Sequence, residues 1–139
     1  MVKTEIRVIY ADTDQMGVVY YGNYLRFFEA ARNEWLRAKG VRWRDVEETH
    51  AVYLPVAEVK VSYKRPARYD DVIAVETRLG DLGLVSLRFD YRIVRDDDLL
   101  VLGHTVHACI GRDGGIREFP AALLAQLRGQ ASSAGPRRF

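Results

Sequence analysis

One helical stretch in a chain that otherwise alternates like β-strands is the feature that most constrains the fold. From about Gly22 to Lys39, apolar residues recur at i, i+3 and i+4 and form one stripe, made of Tyr24, Phe27, Phe28, Ala31, Trp35 and Ala38. Gly22 or Asn23 suits the start of this helix, and Gly40 suits its end. A single helix cannot supply the repeated crossovers of a parallel sheet. The sequence therefore predicts an α+β fold in which an antiparallel sheet curves around one long central helix.

The other segments alternate between apolar and polar residues, as half-buried strands do. The predicted strands are Glu5–Tyr10, Leu54–Tyr63, Asp71–Leu79, Leu84–Val94 and Leu99–Ile110. The last of these is apolar on both faces, which predicts a central strand. Val41–Val52 has no clear period and is predicted to be a loop or an irregular turn, whereas Pro120 favours a short helix over Ala121–Arg128. We expect one domain over residues 1–129 and a flexible tail over 130–139.

Composition excludes several classes of protein. The chain has 139 residues, of which 48% are hydrophobic, so one domain with its own core is expected. A net charge of +2 is too small for the dense basic face of a nucleic-acid-binding protein. The sequence contains no run of about 18 apolar residues, so no membrane-spanning helix is expected. Cys109 is the single cysteine, so an intrachain disulfide is impossible and a cytoplasmic location is expected.

Metal binding has little support in the sequence. The segment Asp12–Gly17 opens like a calcium loop, but Met16 stands at its fifth position and Asn23 at its twelfth, where oxygen ligands belong. His104 and His107 lie three residues apart on a predicted strand, so their side chains point to opposite faces. We therefore predict structural histidines and no metal site.

Nucleophilic serine or cysteine chemistry is also poorly supported. The sequence contains no G-x-S-x-G elbow. His107 and Cys109 would share one face of a strand, which permits a catalytic dyad. A lone cysteine in a strand is more often a small buried apolar residue, and that interpretation is preferred.

The remaining candidates for a chemical role are two carboxylates, which lie between the first predicted strand and the long helix. Asp12 is interpreted as a turn residue that binds nearby backbone amides, and the same role is open to Asp14. Gly17 permits close backbone approach, and the helix start that follows offers free N–H groups. Those groups could hold the oxygen of a polarised carbonyl while Asp14 attacks it or activates water. This layout suits hydrolytic acyl transfer.

The stretch YADTDQMGVVYYGNYLRFFEAARNEWL resembles the signature of hotdog-fold acyl-CoA thioesterases of the 4-hydroxybenzoyl-CoA thioesterase and YbgC-like family. A second, weaker block is YKRPARYDDVIAVET, and the resemblance covers about residues 4–128. Many YbgC-like members have histidine where this chain has Tyr21, whereas the 4-hydroxybenzoyl type has tyrosine there. Substrate preference therefore stays open.

The resemblance implies a hotdog fold and hydrolysis of an acyl-CoA thioester to a free acid and coenzyme A. Asp14 is the implied nucleophile or general base, and the backbone N–H of Tyr21 is the implied oxyanion donor. No cofactor is expected, since coenzyme A is part of the substrate. Family members form dimers with active sites at the subunit interface, and these dimers are often paired into tetramers. The resemblance therefore implies a homotetramer built as a dimer of dimers, with a dimer as the minimum.

Further polar residues have two interpretations each. Glu29 and Arg32 are spaced for a helical ion pair, and Glu29 is also the backup catalytic residue, because some hotdog thioesterases carry their acid on this helix. Lys64, Arg65 and Arg68 are either solvated loop residues or ligands of the phosphates of coenzyme A.

Two other functions compete with hydrolysis. An acyl-CoA hydratase of the same fold would carry an Asp/His pair in a separate motif, which is not found. A non-catalytic module that binds acyl-CoA or acyl carrier protein also remains open. Short aliphatic, long aliphatic and aromatic acyl groups are all compatible with the sequence.

Overall fold

The computed structural model describes residues 1–134 and confirms the α+β class. The strands are β1 (Val2–Arg7), β2 (Val52–Tyr53), β3 (Val56–Tyr63), β4 (Val72–Leu82), β5 (Ser86–Arg95), β6 (Asp98–Ala108) and β7 (Ile110–Gly111). The α-helices are α1 (Tyr24–Ala38), α2 (Trp43–His50) and α3 (Ala121–Ala134), and one-turn 3-10 helices cover Tyr10–Asp12 and Tyr21–Asn23. Among these residues, no helix has the length and apolar composition needed to cross a membrane.

Five strands form one antiparallel sheet in the order β1-β4-β5-β6-β3. Most of the predicted strand Leu99–Ile110 is β6, which lies between β5 and β3 as a central strand does, although the middle strand of the five is β5. The predicted segment is divided into β6 and β7, and β7 pairs with β2 in a separate two-stranded sheet. The edge strands β1 and β3 leave their outer edges unpaired within the described chain, and β3 is exposed along most of its length.

Helix α1 packs its aromatic stripe against the inner face of the sheet. The ring of Phe28 stacks on that of Tyr91 with centroids 4.1 Å apart, and Trp35 meets Phe89 edge-on at 5.4 Å. A Cβ atom at Gly103 would lie 2.6 Å from the Phe28 ring, so β6 needs glycine where this ring packs against it. Every predicted member of the stripe is buried except Ala38, which is exposed at the last helical turn.

The end of α1 is a Schellman motif. Gly40 has φ +78° and donates its N–H to the carbonyl of Arg37, while the N–H of Val41 reaches the carbonyl of Leu36. Leu36 and Val41 are both buried in the core, where apolar residues at these two positions commonly meet. Leu36 therefore replaces Ala38 as the last buried residue of the helix.

Two predicted elements differ in the structure. The first strand begins and ends three residues earlier than predicted, because its register with β4 ends at Arg7–Val72. Tyr10 is consequently outside the strand, 73% exposed, and stacked on Tyr69 at 3.9 Å. The segment predicted as a loop over Val41–Val52 contains α2, whose Trp43 and Val46, spaced by one helical turn, pack against the core.

The final helix extends further than the predicted Ala121–Arg128. It continues to Ala134 and packs Leu123, Leu124 and Leu127 into the core. Part of the predicted tail is therefore helical, and residues 135–139 lie outside the described residues. The domain boundary at residue 129 stays a prediction.

Candidate active site

A tight loop carries the half-buried Asp14 between β1 and the start of α1. The carbonyl of Asp14 accepts the N–H of Gly17 at 3.0 Å, and its own N–H donates to the carbonyl of Val18 at 2.9 Å. Gly17 has φ +79°, and a Cβ there would meet no atom within 4 Å. Glycine is thus required for the backbone conformation rather than for close approach.

The Asp14 carboxylate takes part in this loop. Its Oδ1 accepts the N–H of Met16 at 2.8 Å, which is the local turn contact that sequence reasoning left open. The negative charge of this carboxylate also contributes to the raised pKa of the Tyr20 phenol. The larger causes of that shift are the hydrogen bond and the charge interaction between Tyr20 and Tyr21.

Asp12 anchors the loop to the turn before the helix, so its predicted structural role is confirmed. One carboxylate oxygen accepts the N–H of Ile9 at 3.0 Å, and the other is paired with the guanidinium of Arg26 on α1. Its backbone carbonyl accepts the N–H of Tyr20 and the side-chain amide of Asn23. Asp12 is 3% exposed, so these contacts are formed in a buried setting.

Tyr21 opens the 3-10 turn that leads into α1. Asn23 donates its N–H to the carbonyl of Tyr20 at 2.9 Å and closes this turn. Tyr21 therefore occupies the first helical position, where the turn itself supplies no acceptor for the backbone N–H. Such a group is available to bind an incoming oxygen.

Four tyrosines surround this turn. Tyr20 and Tyr21 contact each other at 4.6 Å between ring centroids, and Tyr63 of β3 meets Tyr21 edge-on at 6.5 Å. The hydroxyl of Tyr63 donates to the carbonyl of Tyr21 at 2.9 Å. Tyr24 is buried, and its hydroxyl accepts the N–H of Ala67 at 3.1 Å, which confirms its predicted packing role.

The three predicted basic residues are brought to the same loop but differ in their surroundings. Arg68 forms a backbone bridge with Val18, directly across from the loop that carries Asp14. Arg65 is paired with Asp98 at 3.1 Å, so its guanidinium is held toward the β5–β6 turn. Lys64 is exposed and donates its backbone N–H to the carbonyl of Leu100.

Glu29 lies apart from this loop, on the outer face of α1. Its carboxylate is 64% exposed and pairs with Arg32 at 3.6 Å, as the i, i+3 spacing predicts. Both residues line a cavity of about 360 Å³ between α1, β3 and β6, whose other lining residues are Leu25, Arg26, Val56, Val59 and Thr105.

The inner face of β6 carries a buried polar chain. His107 contacts the carbonyl of Leu54 at 3.0 Å and the hydroxyl of Thr105 at 2.8 Å, and the Thr105 hydroxyl contacts that of Tyr91 at 2.7 Å. Burial, together with the charge of Arg32, lowers the pKa of His107 to about 4. Both ring nitrogens therefore have structural partners.

Cysteine chemistry is disfavoured by the same geometry. Cys109 is fully buried, and burial raises the pKa of its thiol, which opposes formation of the thiolate.

His104 lies on the face of β6 opposite to His107, as predicted, and its Nε2 is 3.4 Å from a carboxylate oxygen of Glu58.

Metal binding gains no support from the part of the chain that the structure describes. Within residues 1–134, no three His, Cys, Asp or Glu side chains are grouped as metal ligands. At the loop that resembles a calcium site, the oxygens of Asp12 bind Ile9 and Arg26 instead.

Sequence reasoning missed two residues of this site, Arg26 and Tyr63. Arg26 reaches Asp12 from the first turn of α1, and Tyr63 reaches Tyr21 across 42 residues of sequence. Arg26 follows Asn23 by about one helical turn, so the sequence could have indicated that both side chains face Asp12. Tyr63 gave none, because its contact depends on how the end of β3 meets the helix start.

Comparison with known proteins relates this geometry to a family. A family model described as the thioesterase-like superfamily matches residues 8–127. The acyl-CoA thioesterase YbgC of Haemophilus influenzae is 33% identical over 105 residues, which cover 76% of this chain and 77% of that protein.

Solved structures agree with this match. DHNA-CoA thioesterase from Staphylococcus aureus has a TM-score of 0.87 at 30% identity, covering 98% of this chain and 95% of that chain. A 4-hydroxybenzoyl CoA thioesterase solved with 4-hydroxybenzoyl CoA has a TM-score of 0.82 at 23% identity, covering 91% of this chain and 97% of that chain, and shows the shared fold. The predicted hotdog fold is confirmed, and the chain belongs to the thioesterase-like superfamily.

Proposed function

We propose that this protein hydrolyses an acyl-CoA thioester to a free carboxylic acid and coenzyme A. The observation that carries this proposal is that Asp12 connects the turn that begins at Tyr21 with the loop that carries the Asp14 carboxylate. The carbonyl of Asp12 accepts the N–H of Tyr20 and the side-chain amide of Asn23, and so holds this turn, while two residues later the same loop carries the Asp14 carboxylate. The names of the relatives, which are acyl-CoA thioesterases, support the same reaction.

In the proposed reaction, the thioester oxygen accepts the N–H of Tyr21 and gains negative charge as the carbonyl carbon is attacked. In one route, Asp14 removes a proton from water, and the water oxygen bonds to the carbonyl carbon. The carbon–sulfur bond then breaks, and the thiolate of coenzyme A takes up a proton. In the other route, the Asp14 carboxylate attacks the carbonyl carbon first, and the carbon–sulfur bond breaks as the thiolate of coenzyme A leaves and takes up a proton. Water then hydrolyses the mixed anhydride to the free acid and the Asp14 carboxylate. A thiolate leaves easily, so neither route needs a strong acid.

The phosphates of coenzyme A require cations outside the reacting centre. Arg68 is the best placed of the three predicted residues, because its backbone is bridged to Val18 in the catalytic loop. Lys64 is exposed nearby, whereas Arg65 would have to leave Asp98 to bind phosphate. We therefore assign the main phosphate contacts to Arg68 and Lys64.

The proposal includes a homotetramer, assembled as a dimer of dimers, in the cytoplasm. The outer edge of β3 supports association, since Val56 and Val59 are 47% and 43% exposed beside an unpaired strand edge. A second subunit along this edge would cover these side chains and the cavity that Glu29 lines. Size measurement by light scattering tests the assembly.

The test of the activity is release of coenzyme A thiol from a panel of short aliphatic, long aliphatic and aromatic acyl-CoAs. Asp14→Asn should lower kcat at least 100-fold, on the order expected when a general base or nucleophile is lost. Asp97→Asn, in the exposed turn between β5 and β6, is the matched control and should retain full activity. If Asp14→Asn stays active while Glu29→Gln is inactive, the catalytic assignment moves to Glu29.

The alternative function is a non-catalytic module that binds acyl-CoA or acyl carrier protein. It is supported by the turn contact of Asp14 with Met16, which is a sufficient structural reason for a carboxylate at this position. Tight binding of acyl-CoA without release of thiol from any member of the panel would establish this alternative.

A further inference from the structure

A hydrogen bond joins the end of β3 to the turn that begins α1. The hydroxyl of Tyr63 donates to the carbonyl of Tyr21 at 2.9 Å. Tyr63 is the last residue of β3 and is in register with Val101 of β6, and the next N–H, that of Lys64, donates to the carbonyl of Leu100. The hydroxyl is therefore presented from a backbone that the sheet holds in place.

The ring of Tyr63 is held on two sides. It meets the ring of Tyr21 edge-on at 6.5 Å and that of Tyr24 at 5.5 Å with a 60° tilt. Tyr24 is itself fixed, because it is buried and its hydroxyl accepts the N–H of Ala67. These contacts restrict rotation of the phenol and direct its hydroxyl to one carbonyl.

The hydrogen bond from Tyr63 adds a contact from the sheet to the turn that begins at Tyr21. Asp12 holds the turn at Tyr20 and Asn23, whereas Tyr21 lies between these two anchors in the chain, is 64% exposed, and contacts the rings of Tyr20 and Tyr63. We propose that Tyr63 is a positioning residue for thioester hydrolysis: its hydroxyl holds the carbonyl of Tyr21 and so restrains the φ and ψ angles of that residue, which orient the N–H that binds the thioester oxygen. This inference rests on the proposed function, since it gives Tyr63 a role through the Tyr21 N–H.

The expected effect follows from the geometry that catalysis requires. An oxyanion donor acts mainly in the transition state, and a shift of a few tenths of an ångström weakens that contact more than it weakens substrate binding. Removing the Tyr63 hydroxyl should therefore lower kcat about 10-fold and leave KM within about twofold.

The experiment compares Tyr63→Phe, which keeps the ring, with Tyr63→Leu, which removes it. Tyr53→Phe is the control, because that hydroxyl lies on β2 and accepts a hydrogen bond from Arg112 at 3.3 Å, away from the turn. Thiol release gives kcat and KM, and hydrogen exchange reports on the amides of residues 20–23. We expect Tyr63→Phe to lower kcat and speed exchange at these amides, and Tyr53→Phe to change neither.

Two results would overturn the inference. The first is Tyr63→Phe with unchanged kcat and unchanged exchange, which would reduce Tyr63 to a packing residue, especially if Tyr63→Leu alone is impaired. The second is an equal loss of kcat in Tyr53→Phe. A wild type that hydrolyses no acyl-CoA would instead reject the proposed function, and the exchange measurement would still decide whether Tyr63 holds the turn.

Discussion

Arg26 in the first turn of α1 forms an ion pair with Asp12, which lies two residues before the proposed catalytic carboxylate. The pair connects the buried Asp12 side chain, which is 4% exposed, to the Arg26 side chain, which is 56% exposed. It therefore ties the long helix to the loop that carries Asp14, while water still screens the cation.

Asp12→Asn is expected to lower the free energy of unfolding by about 1–2 kcal/mol, because the buried side chain loses the negative charge that pairs with Arg26 while an amide still fills the space. Urea denaturation measures this loss. Asp81→Asn, at an exposed position in β4, is the control and should change stability by less than about 0.5 kcal/mol. A variant of Asp12 as stable as wild type would show that the ion pair contributes nothing.

Gly17→Ala tests whether the conformation of the loop that carries Asp14 matters for activity as well as for stability. Its φ of +79° is unfavourable for alanine, so a stability loss of about 1 kcal/mol is expected. Gly114 offers a matched control, since it has φ +82° and, like Gly17, would place a Cβ in open space. Both variants should lose similar stability in urea, but only Gly17→Ala should lose thiol-release activity. Equal activity in the two would separate Gly17 from the site.

Gly103→Ala should be much more harmful, and for a different reason. Its Cβ would lie 2.6 Å from the Phe28 ring and 2.8 Å from the carbonyl of Lys60. Because the carbonyl belongs to the neighbouring strand, relief requires that the sheet or the helix shift, and we expect a loss of about 2–3 kcal/mol. Thermal unfolding measures it, and the double variant Gly103→Ala with Phe28→Leu should recover part of the loss.

The sequence predicted the parts of this fold that repeat a simple period. The stripe on α1 and the alternation in β4 and β5 are visible because each buries one face, and Gly40 marks the end of the helix through its required φ. Helix α2 was missed because only Trp43 and Val46 carry its apolar face, too few for a period to be recognised.

The candidate site was predictable only where its residues are adjacent in sequence. Asp14, Gly17 and Tyr21 fall within one motif, so their proximity follows from the chain itself. Tyr63 reaches Tyr21 only because β3 ends beside the start of α1, which no local pattern reports. The different surroundings of Arg65 and Arg68 also depend on tertiary contacts, with Asp98 and Val18 respectively.

The core beneath α1 contains a hydrogen-bonded chain whose direction can be assigned. A backbone carbonyl only accepts, so the Nδ1 of His107 must donate to Leu54, at 3.0 Å. The Nε2 of the neutral ring then accepts from the hydroxyl of Thr105, and that oxygen accepts in turn from the hydroxyl of Tyr91. The positive charge of Arg32 also acts on this chain, because it lowers the pKa of His107 and opposes the rise that burial causes in the pKa of Tyr91.

Acid should therefore destabilise the protein through His107. Its folded pKa of about 4 lies below the ordinary 6.5, so as pH falls below 6.5 the unfolded state binds the proton first and stability declines until about pH 4. The shift corresponds to about 3 kcal/mol over this window. Urea denaturation from pH 7 to 4 should show a smaller decline for His107→Gln, which cannot titrate, than for wild type. His50→Gln, at an exposed position in α2, should behave as wild type does. Parallel curves for wild type and His107→Gln would mean that carboxylates alone set the acid sensitivity, and that His107 accepts a proton in the folded core as readily as in the unfolded chain.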